Sequence, residues 1–274
     1  DTGNQANTAD LNIVIDASAC GTGTSTLVLY GNVDLETGIQ MVGDADGVAI
    51  LTIGDGTNAV TVLATTLDMA ADDYIAVFKI VAKHADYIAI NVSSPNTRSL
   101  RTLQEAGRLD PLLRAIRETN DGFASKMGCN CVPVLLKISP DESFRSLDLI
   151  LELVFRHDMD GIIATNSTVN RSGPNGKRCT EAGGLSGTPL KQRSTEVVRY
   201  LSKASEGRLP IIGVGGILDA VSAGEKLDAG ASLVQVYSGL VYKGPLLAKH
   251  LANSLALRGS NWVFDRKNKR FFFI

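Results

Sequence analysis

The sequence predicts an α/β protein of the (β/α) TIM-type barrel class, with an atypical β-rich segment at its N-terminus. From about residue 71, five short apolar runs alternate with segments whose apolar residues recur at helical spacing, which is typical of a parallel sheet with crossover helices. Each run ends in a polar or glycine-rich cluster, at the edge where a barrel carries its chemistry. Five such units are most of an eight-unit barrel, which needs about 250 residues.

The individual elements of this part follow from periodicity and from turn and cap residues. Asp110 and Pro111 indicate the start of the second helix, with Asp110 as its cap. Pro133 lies near the start of the second strand, where a missing N–H donor is tolerated. The predicted strands are 87–92, 132–138, 160–165, 209–213 and 231–236. The predicted helices are 72–83, one that includes 110–116, then 147–154, 190–201, 218–227 and 244–257.

The first 70 residues differ sharply from the rest of the chain. They contain nine acidic residues and no Lys or Arg, so the formal net charge of −2 divides into −9 here and +7 for the remainder. Residues that favour turns separate short β-like runs, which are 11–15, 26–30, 47–53 and 59–63. The connection between the runs 11–15 and 26–30 is too short for a parallel crossover, so we expect the strands of this segment to pair antiparallel. The sequence thus predicts three parts: an acidic β-rich segment (1–70) that is a candidate replacement for the first barrel strands, a barrel portion (71–257) and a C-terminal tail (258–274).

Composition and charge disfavour several classes of protein. A net charge of −2 gives no general case for nucleic-acid binding. The four cysteines are too scattered for a disulfide framework, and Cys129 and Cys131 are expected to be reduced thiols in a loop, so no metal site is predicted. No apolar run is long enough for a membrane-spanning helix, and neither a signal peptide nor another membrane anchor is visible.

Two features after residue 71 point to an anionic ligand. Glycine-containing turns at 213–217 and 237–239 follow the last two predicted strands, where backbone N–H groups and a helix dipole bind phosphate in barrels. Lys137 lies in an otherwise apolar strand, and a buried ammonium is costly unless something anionic meets it. A lysine that only extends to the rim is the alternative. Its place at the strand's C-terminal end favours a role in neutralising charge on a cofactor ring.

The stretch 88–97 is the centre of the pattern, because a buried strand here ends in a loop rich in hydrogen-bonding side chains. Taken alone, this loop is no more than a turn. Together with five further motifs in the same order, it resembles the flavin-binding half of the class 2 dihydroorotate dehydrogenases. The resemblance runs from about Asp72 to Leu257, and the motifs are 91–97, Lys137, 164–168, 183–187, 213–217 and 230–238.

The resemblance implies an FMN-containing barrel that oxidises dihydroorotate to orotate in pyrimidine biosynthesis and reduces a quinone. It implies Ser94 as the base that takes the C5 proton, while the hydride leaves from C6. The implied substrate-binding residues are Asn91, Asn96, Asn166 and Ser167. The implied cofactor-binding residues are Asn91, Lys137, Thr165, Gly187, Gly216, Tyr237 and Ser238. Membrane association, at the mitochondrial inner membrane or the bacterial cytoplasmic membrane, is implied by the family only.

The N-terminal segment departs from the family pattern. The family has a substrate-binding Lys and an Asn-Ile-Gly-Lys-Asn turn in its N-terminal half, whereas here only Ile53 and Gly54 match that turn. Ser167 stands in place of a usual Thr and keeps the hydroxyl, and Arg98-Ser99 stands in place of Pro-Gly. These departures keep a second hypothesis open, a non-catalytic chimeric or truncated flavin half-barrel that acts as a binding module. A third, a different phosphate-binding barrel enzyme, is disfavoured by the Ser94 motif.

Overall fold

A computed structural model describes the chain over residues 70–95, 100–171 and 183–256, and additionally the backbone of six short strands outside these ranges. The chain divides into two compact units. The described residues up to Val92, with 100–136 and 153–159, form the first unit. The second unit consists of 93–95, 137–152 and the described residues from Asp160 onward.

The first unit contains two antiparallel strand pairs and the start of a parallel sheet. Its strands are β1 (Asn32–Asp34), β2 (Gln40–Val42), β3 (Val48–Ile53), β4 (Thr57–Val62), β5 (Tyr87–Asn91) and the first residues of β6 (Val134–Ile138). β1 pairs with β2 and β3 with β4, both antiparallel, which confirms the hairpin prediction for 47–53 and 59–63. β4 is parallel to β5, and the order continues to β6. The predicted runs 11–15 and 26–30 lie outside the described residues.

The helices of the first unit are α1 (Ala70–Val81) and α2 (Ala106–Met127), with a 3₁₀ helix at Leu100–Gln104. α1 confirms the predicted helix and buries Tyr74, Phe78 and Val81 on one face. The prediction that Asp110 caps α2 was wrong, since α2 begins four residues earlier and Glu105 precedes its first turn with extended backbone. The fully buried Leu109 draws this turn into the core, and Pro111 is accommodated inside the helix.

The second unit completes the alternation of strands and helices. Its elements are the end of β6, α3 (Phe144–Arg156, as far as residue 152), β7 (Gly161–Ala164), α4 (Lys191–Ala204), β8 (Ile211–Val214), α5 (Ala220–Asp228), β9 (Leu233–Gln235), α6 (Ser238–Lys243), α7 (Leu247–Ala256), β10 (Trp262–Asp265) and β11 (Arg270–Phe273). A 3₁₀ helix at Thr188–Leu190 precedes α4. The strand order is β6–β7–β8–β9, with β7, β8 and β9 parallel. β10 and β11 form an antiparallel pair.

The sequence of the second unit accounts for most of these elements. All four residues of β7 are buried, as expected for a parallel strand covered on both faces. α5 begins at Ala220, where the Asp219 side chain accepts a hydrogen bond from the Ser222 N–H in a capping box. α6 was not predicted, because six residues are too few to display a helical period. Among the described helices, none combines the length and the apolar character needed to cross a membrane.

The sheet register brings the candidate residues of the second unit together. Ala164 at the end of β7 pairs with Gly213 of β8, and Val214 pairs with Gln235 at the end of β9. The loops after β7, β8 and β9 therefore leave the sheet at the same edge.

Candidate active site

The loop after β5 carries two fully buried serines, Ser93 and Ser94. Asn166, in the loop after β7, donates a hydrogen bond from Nδ2 to the Ser93 Oγ over 3.1 Å. The backbone N–H of Asn166 donates to the carbonyl of Ile138 at the end of β6, over 2.8 Å. The loops after β5 and β7 thus meet next to the end of β6, and the predicted base Ser94 directly follows Ser93 at this junction.

The loop after β7 is held by its own polar groups. The Oδ1 of Asn166 accepts a hydrogen bond from the backbone N–H of Ser167 at 2.8 Å. The hydroxyl of Thr165 donates to the carbonyl of Asn166 at 3.0 Å, while its backbone N–H donates to the carbonyl of Val214 at 3.1 Å. All three residues are buried. Predicted as substrate-binding and cofactor-binding residues, they form one rigid segment next to Ser93.

Gly184 lies directly against this segment. A Cβ atom on Gly184 would be 2.0 Å from the Ser167 Oγ and 2.6 Å from the Pro95 Cγ, which no real side chain tolerates. Backbone hydrogen bonds in both directions between Thr168 and Leu185 fix this close approach. The glycine therefore allows the 183–187 segment to pack against Ser167 and against Pro95, which directly follows Ser94.

Asp141, which sequence analysis did not identify, anchors the same region. Its carboxylate accepts hydrogen bonds from the Thr168 hydroxyl and from the Val169 backbone N–H, the latter at 2.9 Å. Its own N–H donates to the Ser139 Oγ at 3.1 Å. The loop after β6 is thereby tied to the loop after β7. A single Asp after a proline carries no signal of a partner 27 residues away.

A second cluster lies after β8 and β9, where the glycine turns were predicted. The hydroxyls of Ser186 and Ser238 are 2.8 Å apart, and a Cβ on Gly187 would make ordinary contact with the Ser238 Cβ at 3.6 Å. A Cβ on Gly239 would be 2.2 Å from the Ile217 carbonyl oxygen, so these two turns pack backbone to backbone. Tyr237 is half-buried directly before α6.

Gly216 completes this cluster with an unusual backbone. Its φ is +71°, which favours glycine, and a Cβ would be 2.4 Å from the Lys191 Cβ. α5 begins about two residues later than predicted, and its cap occupies the N–H of Ser222. Amide donors for an anion therefore come from the turn. Over the described residues, no acceptor meets the N–H groups of this turn or of the start of α6, namely those of Gly216, Ile217, Ser238 and Gly239.

Lys137 is a partly buried amine in β6. Burial lowers the pKa of its ammonium from 10.5 to about 8, because desolvation disfavours the charged form. In the part of the chain that the structure describes, no carboxylate or other acceptor is bonded to its Nζ. An electron-rich ligand beside this amine would offset much of the free-energy cost of burying its charge. This agrees with the interpretation of Lys137 as a residue that neutralises charge on a cofactor ring.

Two predicted site residues, Asn91 and Asn96, do not belong to the described part of the second unit. Asn91 belongs to the first unit, where it is buried at the end of β5 and its carbonyl accepts a hydrogen bond from the Tyr74 hydroxyl at 2.7 Å. Asn96, like Cys20 and Cys179, lies outside the described residues. Cys129 is exposed, and the thiol of Cys131 donates to Asp121. No group of three or more potential metal ligands occurs within the described ranges.

Comparison with known proteins decides the family. The sequence model of the family described as "Dihydroorotate dehydrogenase" matches residues 43–258. The chain belongs to the dihydroorotate dehydrogenase family. The match begins earlier than the motif-based resemblance at about Asp72, and it includes β3 and β4.

Curated relatives of this dihydroorotate dehydrogenase family member are named "Dihydroorotate dehydrogenase (quinone)". The protein from Edwardsiella ictaluri is 44% identical over 227 residues, which are 82% of this chain and 66% of the relative. The protein from an Enterobacter strain is 46% identical over 211 residues, covering 77% of this chain and 61% of the relative. The chain thus spans about two thirds or less of the length of these relatives.

Solved structures of the family confirm the predicted (β/α) barrel class. A dihydroorotate dehydrogenase from Eimeria tenella, crystallised with ferulenol, aligns with a TM-score of 0.63 and 32% identity over 69% of this chain and 55% of its own. The ligand-free form of the Eimeria enzyme aligns with the same TM-score, 33% identity and 57% of its own chain covered. The order of strands and helices from β5 onward agrees with this class.

Proposed function

We propose that this chain acts as an FMN-dependent dihydroorotate dehydrogenase, which oxidises dihydroorotate to orotate in pyrimidine biosynthesis and uses a quinone as electron acceptor. The observation that carries the proposal is the presence, in one compact unit, of a buried serine loop and a glycine-lined cluster of amide donors. The curated relatives' name supplies the substrate and acceptor, and the family membership supplies the reaction class.

The residues present fit FMN at the phosphate end. Four N–H groups without an acceptor among the described residues, together with the Ser186–Ser238 hydroxyl pair, match the oxygens of a phosphate. Gly187, Gly216, Tyr237 and Ser238 would hold the phosphate and ribityl chain. Lys137 fits the ring end, because its amine lacks an acceptor in the described part of the chain and an electron-rich ring would offset the desolvation that lowers its pKa to about 8. Thr165 and Asn91 complete the proposed ring contacts.

Ser94 is proposed to take the substrate's C5 proton, while the chemistry supplied by bound FMN is acceptance of the hydride from C6. A serine is a weak base and needs a neighbouring acceptor or a water path to pass the proton on. Full burial of Ser94 excludes bulk water from the reacting atoms, which strengthens electrostatic interactions there. Its chain neighbour Ser93 is held by the hydrogen bond from Asn166.

Asn91, Asn96, Asn166 and Ser167 are proposed to bind the substrate. Orotate is planar, with a carboxylate and several donor and acceptor edges, and amide and hydroxyl side chains can match both kinds of edge. Within the protein, Asn166 donates from Nδ2 to the Ser93 Oγ and accepts at Oδ1 from the Ser167 N–H, which sets the orientation of its amide.

Membrane association is part of the proposed function. A quinone acceptor is held in a membrane, so we expect the protein to bind quinone-containing vesicles. Co-sedimentation with vesicles of neutral lipid and quinone tests the membrane contact, and no binding at low salt would contradict it.

The proposed division of the chain has three parts. Residues 1–70 are proposed as an acidic segment at the place of the first barrel strands, followed by the barrel portion 71–257 and the tail 258–274.

A second candidate function is a non-catalytic chimeric or truncated flavin half-barrel that acts as a binding module. The acidic, lysine-free composition of residues 1–70, where the family motifs are not intact, favours it. One experiment separates the two functions. Purified protein is examined for a flavin absorption band and then supplied with dihydroorotate and a soluble quinone. Flavin with turnover supports the dehydrogenase, and flavin without turnover supports the binding module. A colourless protein that FMN cannot reconstitute contradicts the dehydrogenase and favours the non-catalytic half-barrel.

A further inference from the structure

Lys226 is a fully buried lysine outside the site described so far. It lies in α5, and its Nζ donates three hydrogen bonds to the first turn of α4. The acceptors are the Lys191 carbonyl at 3.1 Å, the Ser194 Oγ at 2.5 Å and the Thr195 Oγ1 at 2.5 Å. A buried amine is costly unless it is bonded in this way, and these three bonds hold Lys226 against the start of α4.

The direction of these hydrogen bonds fixes a relay to the glycine turn. The Lys226 Nζ donates to the Ser194 Oγ, so the Ser194 hydroxyl accepts from Lys226 and has its own hydrogen left to give. The carbonyl of Gly215 is the closer acceptor at 3.0 Å, compared with 3.2 Å for that of Lys191. Lys226 therefore directs the Ser194 hydroxyl toward the Gly215 carbonyl.

This relay sets the direction of the amide at Gly216. The peptide bond between Gly215 and Gly216 is planar, and in the trans form its N–H points opposite to its C=O. Because the Gly215 carbonyl faces α4, the N–H of Gly216 faces away from α4, and no acceptor meets it among the described residues. The stem of Lys226 also packs on β8, where a Cβ on Gly213 would be 3.2 Å from the Lys226 Cβ.

We propose that Lys226 is a positioning residue for the phosphate end of the cofactor. It acts through Ser194 to hold the Gly215–Gly216 turn with its amide donor toward the phosphate. This role rests on the proposed binding of FMN, but it assigns a function to a residue that touches neither cofactor nor substrate.

The test compares FMN with riboflavin, which lacks the phosphate. Apoprotein is titrated with each flavin, and binding is followed by quenching of flavin fluorescence. The wild type is expected to prefer FMN. Lys226→Met, which keeps the length of the stem, is expected to lose about tenfold in FMN affinity, or about 1.4 kcal/mol. Its riboflavin affinity is expected to stay the same. Lys203→Met, an exposed lysine of α4, is the matched control and keeps the FMN preference.

A second variant covers the case in which Lys226→Met does not fold. Ser194→Ala leaves the amine in place and removes only the relay, so it is expected to show the same selective loss. An equal loss for both flavins, or an unchanged preference for FMN in the folded variants, overturns the role of Lys226. A wild type that binds neither flavin overturns the proposed function instead, so the two failures are distinguishable.

Discussion

Asn166 donates a hydrogen bond to the hydroxyl of Ser93 across 73 positions of sequence, at a distance of 3.1 Å. This bond joins the loop after β5 to the loop after β7. Ser94 follows Ser93 directly, and the ring of Pro95 restricts the backbone on its other side. The backbone at Ser94 is therefore constrained on both sides, which limits where its hydroxyl can lie, as preorganised catalytic groups require.

Replacing Ser94 with Ala is expected to lower dihydroorotate turnover by about 10²- to 10⁴-fold, the usual contribution of a positioned general base. The flavin absorption band should stay unchanged, because the glycine cluster is untouched. Ser232→Ala, which removes an exposed hydroxyl in the same unit, is the control and should keep full turnover. Turnover of Ser94→Ala within about twofold of wild type would remove Ser94 from the mechanism.

Gly184→Ala is expected to disrupt the site by steric conflict. The added Cβ would meet the Ser167 Cβ at 2.7 Å and the Pro95 Cγ at 2.6 Å, and rotating the Ser167 hydroxyl relieves neither contact. Overpacking of this kind costs about 1–3 kcal/mol, so we expect a raised KM for dihydroorotate and a lower melting temperature.

Gly122→Ala is the matched control for this substitution. Gly122 lies inside α2, where an added Cβ would have no neighbouring atom within 4 Å. Alanine should therefore stabilise the helix by about 1 kcal/mol and leave KM unchanged. Equal behaviour of the two variants in both measurements would show that the close approach at Gly184 has no functional effect.

Sequence patterns were sufficient for β5 to β8 and for the longer helices, because these strands consist mostly of buried apolar residues and these helices have one apolar face. They predicted the Ser94 loop, the glycine turns and Lys137. They did not show that Asp141 bonds Thr168, or that Lys226 bonds the first turn of α4. Such contacts join residues that are far apart in sequence, and their partners are ordinary serines and threonines. Periodicity carries no information on these pairs.

The boundary errors have a similar cause. Asp110 next to Pro111 has the composition of a helix start, yet burial of Leu109 extends α2 beyond it. Tertiary packing outweighs a capping preference of about 1 kcal/mol. The family match from residue 43 likewise precedes the motifs, because weak similarity over a long stretch has no single motif to display it.

Lys137→Met is expected to stabilise the apoprotein and impair the enzyme. Burial lowers the pKa of Lys137 to about 8 from 10.5 in the unfolded chain, so the charged amine opposes folding by at most about 3 kcal/mol. The cost is fully present below pH 8 and disappears as the pH rises to 10.5, because both states then lose the proton. Urea unfolding should show the variant more stable at about pH 7 and nearly equal to wild type at about pH 10.5. Flavin reduction by dihydroorotate should be slower in Lys137→Met than in wild type. A variant apoprotein that is less stable than wild type at neutral pH would contradict this prediction.

Asp110→Asn is expected to weaken the first unit above the acid range. The Asp110 carboxylate accepts hydrogen bonds from His157 at 2.9 Å, Arg114 at 3.0 Å and Arg156 at 3.1 Å, which lower its pKa from 3.8 to about 2, with the His157 bond as the largest cause. A depressed pKa stabilises the fold above the unfolded value of 3.8, and that stability is lost as the pH falls toward 2. Urea midpoints of wild type and variant should therefore differ at about pH 6 and converge near about pH 2. Asp72→Asn, an exposed acid in the first turn of α1, controls for loss of one charge and should shift the midpoint much less at the higher pH. If the urea midpoints of Asp110→Asn and wild type still differ by the same amount near about pH 2, the negative charge of Asp110 does not account for the contact between α2 and the end of α3.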